Sequence, residues 1–301
     1  MLTIQLFLVA TLVLVELAYL RGWSQLRTSD KNSISSWRLG AFTCGVMSVG
    51  AAVNPPIAAL DHRLLCMHMV QHLLLMTIGP ALILLGNPFL SIERSLPSSF
   101  ARSALRPFLR WAPMQRLGRV LNQPVFCWLI ATAVLLGWHL PRAFDLAMQS
   151  ESWHAIESLS FFAAGLFFWT PVIRPWPMKA RGAQWTIPVY LFLATLPCDA
   201  LSAFLTFCGR VIYPHYLHLH QERLLNFSAV NFSALQDQEA AGALMWVFVT
   251  FAYLIPAVVV TIQILSPSST RRQQETSNDG DIAERASAHA VSPISAEAWG
   301  P

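Results

Sequence analysis

His68 and His72 stand four residues apart in the run from Asp61 to Pro88, DHRLLCMHMVQHLLLMTIGPALILLGNP. That spacing puts both imidazoles on one face of a helix, one turn above the other. A pair so placed can hold a transition metal, ligate a haem iron or pass a proton. Cys66, Met67, Met69 and Met76 lie in the same stretch and add sulfur donors, the ligands Cu(I) favours. Met67 and Met69 point to different sides of a helix, so at most one of them shares the histidine face. His68 and His72 are therefore the first candidate ligands, with Cys66, Met67 or Met69 as soft partners.

Further candidates lie downstream. His139, in Gly-Trp-His-Leu-Pro, and His154, beside Trp153 and three residues before Glu157, are each followed or preceded by apolar runs. Both could complete a ligand set, and both could equally serve as a helix cap or interfacial anchor beside a Trp. His215, His218 and His220 form a short His-rich tract that suits either metal or a solvated loop. Asp199, after Pro197 and Cys198, sits inside an apolar run, where a lone carboxylate costs roughly 3 kcal/mol or more. It should be protonated, paired or turned to a wet cavity. Each histidine also has a plain reading as a neutral interhelical hydrogen bonder, and the methionines as apolar filler.

The elements that must position these groups follow from composition. Of 301 residues, 54% are hydrophobic and 12% charged, with mean hydropathy +0.47; soluble domains carry roughly a quarter charged residues. An all-α integral membrane bundle is expected. Apolar runs at about 2–20, 37–59, 64–86, 124–140, 155–173, 185–208 and 240–265 give seven transmembrane helices, each near the roughly 20 residues a crossing needs. The first run lacks a basic leader and carries Arg21, Arg27, Lys31 and Arg38 after it, which retains it as a span with the N-terminus outside. The loop holding Arg94, Arg102, Arg106, Arg110, Arg116 and Arg119 marks the cytoplasmic side, as do Arg174, Lys179, Arg181, Arg271 and Arg272. On this topology every histidine except His289 lies at or just below the outer face, and the C-terminus is cytoplasmic. Residues 1–265 form the membrane domain and 266–301 a disordered cytoplasmic tail. Glu16, in the first span, is expected to reach the interface.

The net charge of +4 belongs to these loops and implies no nucleic acid. Cys44, Cys66, Cys127, Cys198 and Cys208 are scattered without a CxxC pair, so neither disulfide framework nor zinc ribbon is indicated. There is no phosphate-cradling Gly loop, GxSxG elbow or HExxH helix, hence no visible hydrolytic apparatus.

The segments His68 to Met76, Gly79-Pro80, Leu85 to Pro88, Gly137 to Pro141, Gly165 to Pro171 and Asp237 to Trp246, in that order over about residues 40–260, resemble the CtaG family of caa3-type cytochrome c oxidase assembly factors. The resemblance implies a multi-pass protein of the bacterial inner membrane, not an enzyme, that helps assemble a haem-copper oxidase and assists copper provision to its catalytic subunit. It implies oxidase subunits and a periplasmic copper donor as partners besides membrane lipid, and carries His68, His72, His139, Asp237 and Gln238 over as functional positions. Asp237 would act in an outer loop by orienting a ligand imidazole. One departure is that the family pattern often has a His one turn after His154, where this chain has Ser158. The leading expectation is a site holding Cu(I) transiently. The rivals are a haem-binding membrane cytochrome, a metal or proton transporter using Asp199 and His72, and a metal-free scaffold.

Overall fold

A backbone in hydrocarbon must satisfy its own N–H and C=O groups, and a helix does so within one segment. The computed structural model describes residues 2–29, 35–95, 123–173, 185–216 and 233–266, and among these every regular element is helical. They are α1 Leu2–Ser29, α2 Ser36–Val53, the short α3 Ile57–Leu60, α4 Leu65–Leu73, a π-helical turn Leu74–Ile78, α5 Gly79–Leu85, α6 Pro88–Ser95, α7 Pro124–Trp138, α8 Pro141–Gln149, α9 Glu151–Ile173, α10 Thr186–Phe207 and α11 Ala234–Leu265.

Six of the resulting rods are long and apolar enough to cross a membrane, with α2 and α3 counted as one and α4, the π turn and α5 as another. A seventh exists if α7 and α8, bent by 73° at His139 and Leu140, are taken together. The chain is thus a multi-pass membrane protein. Large side chains such as Leu14, Phe192 and Leu254 are exposed on the rods, as lipid-facing positions are. The tail, most of the arginine-rich loop, and His218, His220 and His289 lie outside the described residues.

Two boundaries differ from the hydropathy reading in ways that move functional residues. α11 starts six residues before the expected 240 because Ser233 caps it: Gln236 N–H donates to Ser233 Oγ at 3.1 Å and Ser233 N–H to Gln236 Oε1 at 2.9 Å. Asp237 and Gln238 therefore stand in its first turns rather than in a loop. α9 starts at Glu151, four residues before the expected 155, which carries Glu157 nearly two turns into the rod. Glu16 is half-buried and accepts from Thr43 Oγ1 of α2 at 2.6 Å.

Core packing is tightest where small residues let rods touch. At Gly165 of α9 a Cβ would collide with the Met76 carbonyl oxygen and lie 2.7 Å from Pro80 Cγ. This contact draws α9 against the π turn and α5. α4 packs on α11 and α10 on α11 along its length. At the opposite end of the bundle, Tyr19 of α1 donates to Gly86 O at 2.8 Å, beside Arg38 of α2 and the start of α6. Arg38 and Arg94 belong to that end, while Arg63, Arg142 and Arg210 lie toward the histidine end.

Candidate metal site at the histidine end of the bundle

The first turn of α4 leaves N–H groups without intrahelical partners. Leu65 N–H donates to Asp237 Oδ2 at 2.7 Å and Cys66 N–H to Asp237 Oδ1 at 3.2 Å, so a carboxylate on α11 caps α4. Farther along α4, Gln71 Nε2 donates to Ala52 O at 3.1 Å and ties it to α2. Gln238 accepts from Ile212 N–H at 2.7 Å and donates to Arg210 O at 3.0 Å and Leu205 O at 3.2 Å, fixing the chain after α10. Asp237→Ala is expected to lower stability by about 2 kcal/mol, the upper range for a lost cap, read as a fall in melting temperature of the detergent-solubilised protein. An unchanged melting temperature would show that the α4 terminus does not need this carboxylate.

With α4 anchored at both points, His68 and His72 face α9. Their Nε2 atoms are 2.7 Å apart, and the buried Glu157 Oε1 lies 3.3 Å from His72 Nε2 and 3.6 Å from His68 Nε2. Neither Glu157 oxygen has a hydrogen-bond partner, nor has Nδ1 of either histidine. A carboxylate taken from water costs several kcal/mol unless compensated, so this group calls for a cation. Either one imidazole carries an extra proton or both turn lone pairs toward a shared ion.

The donor set fits a metal. Tetrahedral nitrogen and oxygen ligands at 2.0–2.1 Å from an ion stand about 3.3 Å from one another. The two carboxylate separations are close to that, and the two imidazoles would part by about half an ångström. His154 of α9 adds a further imidazole: its ligand atom and those of His68 and Glu157 all lie within 4.8 Å of one another. The same holds for His154 with Asp61 and His62, where His154 Nε2 is 3.4 Å from Asp61 Oδ2. Burial pushes the Asp61 carboxyl above its ordinary range, opposed first by the His62 imidazole.

A roof covers these groups. The bend before α8 lays Phe144 edge-on to His68 at 5.0 Å, and the rings of Tyr213 and Tyr216 pack tilted against Phe144. Tyr213 Oη donates to His139 O at 3.1 Å and Tyr216 Oη to Asp61 O at 2.6 Å. Burial holds both phenols above their ordinary range, so both remain neutral donors.

His139 lies to the other side of His72, their rings 6.3 Å apart. Its Nδ1 is 2.7 Å from Leu135 O and must donate to that carbonyl, which leaves a buried, unpartnered Nε2 lone pair. His72 and His139 line a cavity of about 40 Å³ with Met69, Met76, Met245 and Cys198. That volume is far below the roughly 300–1,000 Å³ of sites that take organic ligands, which weighs against a haem between these imidazoles.

The structure thus brings His68, His72 and His154 together, with His139 and Met69 on the adjoining cavity. Cys66 is half-buried on α4 and belongs to neither converging group among the described residues. Asp199 is half-buried with Oδ1 unpartnered, and it too is outside both groups; its neighbour Cys198, one residue round the helix, takes the cavity face. Ser158 is half-buried, and the side chain after His154 that meets the α4 histidines is Glu157. Sequence reasoning misses Glu157 and Asp61 as donors. The only local signals are the three-residue step from His154 and the adjacency of Asp61 to His62.

Comparison with known proteins adds the following. The sequence model of the family described as cytochrome c oxidase caa3 assembly factor (Caa3_CtaG) matches residues 17–266. The chain is 23% identical over 286 residues to an uncharacterised protein of Mycobacterium bovis, covering 93% of this chain and 40% of that one. It is 22% identical over 289 residues to an uncharacterised protein of Mycobacterium leprae, covering 94% and 40%. The chain therefore spans about 40% of the length of these curated relatives. No solved structure matches significantly.

Proposed function

The chain belongs to the Caa3_CtaG family of cytochrome c oxidase caa3 assembly factors, and from that membership we propose that it assists the oxidase by carrying copper as cargo in the His68, His72, Glu157 and His154 group. The observation that carries this reading is the buried Glu157 carboxylate, with neither oxygen hydrogen-bonded and Oε1 3.3 Å from His72 Nε2, against two imidazole nitrogens 2.7 Å apart. Imidazole suits copper in either oxidation state, and the carboxylate favours the harder ion. The thioethers of Met69, Met76 and Met245 on the adjoining cavity favour Cu(I). His139, its tautomer fixed by Leu135 O, stands between the two environments.

The role of this chain's residues is to bind, orient and keep water out. Asp237 and Gln71 hold α4 so that both histidines face α9, and the Phe144, Tyr213 and Tyr216 roof limits solvent access. The site opens on the outer side of a bacterial inner membrane, a placement supported by Arg38 and Arg94 at the opposite end of the bundle. Copper arrives there from a periplasmic donor and leaves to an oxidase subunit.

The test is copper binding by the purified chain against a competing chelator. His68→Ala/His72→Ala is expected to weaken binding at least 100-fold, as loss of two imidazole ligands should. Equal affinity in that variant and the parent would remove copper handling from the proposal. In cells, deletion of the gene is expected to leave oxidase subunits present but copper-deficient. Subunits that vanish altogether would instead favour a metal-free scaffold.

A further inference from the structure

We propose that Asp61, His62 and His154 form a separate outer station for a divalent cation, from which His154 hands the ion to the inner set of His68, His72 and Glu157. This rests on the inner set being the copper site, and it adds a route by which an ion reaches a group with no exposed member.

Three observations carry it. Exposure falls stepwise along the donors: the His62 side chain is 34% exposed, His154 14%, and His68 and Glu157 0%. The His154 ring lies between the other two, 4.8 Å from His62 and 5.8 Å from His68. Asp61 is fully buried, yet its Oδ2 has no hydrogen-bond partner and stands 3.4 Å from His154 Nε2. The backbone of the station is held from the roof segment, since Tyr216 Oη donates to Asp61 O at 2.6 Å and His215 Nε2 lies 3.2 Å from His62 O.

The chemistry of transfer is ligand exchange with no change of oxidation state. Asp61 and His62 leave the ion, Glu157, His68 and His72 join it, and His154 stays bound. One carboxylate replaces another, so the ion moves into a low-dielectric region without shedding negative charge. His154 belongs to both groups and one of its ring nitrogens keeps its proton in the neutral imidazole. In the proposed route the stations therefore take turns, and the chain holds one ion at a time.

The test uses the full chain in lipid nanodiscs with Cu(II) alone as probe. At equilibrium the parent is expected to bind one Cu(II) with a three-nitrogen paramagnetic resonance pattern, preceded after rapid mixing and freezing by a two-nitrogen pattern. His68→Ala/His72→Ala/Glu157→Gln is expected to retain one weaker Cu(II) with two nitrogens, and adding Asp61→Asn should weaken that binding at least tenfold. A parent that shows three nitrogens from the earliest time, or a triple variant whose residual binding ignores Asp61→Asn, would overturn the outer station alone. If the triple variant does not fold, the time course in the parent decides. A parent that binds no Cu(II) would overturn the copper-site reading itself.

Discussion

If the proposed copper site is right, exchanging Glu157 for Gln is expected to weaken copper binding by at least 100-fold while raising the thermal stability of the metal-free protein. Gln keeps the shape of the side chain and removes its charge. Two unit charges about 4 Å apart at an effective dielectric of about 20 attract by about 4 kcal/mol. A 100-fold loss is only about 2.7 kcal/mol, so the expected effect is a lower bound. Without metal, the same charge is a burden: its pairing with the His68 and His72 imidazoles includes no well-formed hydrogen bond, and the desolvation cost of a buried ion pair can exceed its attraction. The two effects have opposite signs. A variant that loses copper because it is misfolded would lose melting temperature as well, and one whose affinity stays within threefold would show that Glu157 is not a ligand.

The second large effect is expected far from any donor. Gly165→Ala places a methyl group against the Met76 carbonyl and Pro80 ring, so α9 must move from the π turn. Overpacking of this kind costs about 1–3 kcal/mol. Glu157 and His154 ride on the same rod, roughly 12 and 16 Å away along its axis, so a shift of α9 at Gly165 is expected to move them relative to α4. Copper affinity should fall at least tenfold together with the melting temperature. Gly137→Ala is the control: nothing lies within 4 Å of a Cβ at that position, and replacing a helical Gly by Ala gains up to about 1 kcal/mol. Equal behaviour of the two variants would mean that the α9 contact does not set the site.

Some of this arrangement is readable from residue order. The four-residue step from His68 to His72 fixes their shared face whatever else the chain does, and the Ser233 to Gln236 box marks where α11 begins. Hydropathy cannot see that box. It places the last span at 240 and leaves Asp237 and Gln238 in a loop, whereas capping takes both into the helix and turns them on α4 and the 205–212 segment. Glu157 is hidden for a related reason. A single acid near the start of an apolar run looks interfacial until the true start of α9 at Glu151 carries it inward. The π turn is invisible because Leu74 to Ile78 has the same apolar character in either helical form. Asp199 shows the converse limit: its cost in hydrocarbon is legible, but its direction depends on which face of α10 meets α11, and the neighbouring Cys198 takes that face.

The cap on α4 has a consequence for biogenesis. The carboxylate that closes the N-terminus of the histidine-bearing helix comes from a residue 172 positions later in the chain. During translation, that cap cannot form until α11 has joined the bundle. A polypeptide that has not yet reached α11 therefore lacks the cap that helps set the direction of the helix bearing His68 and His72.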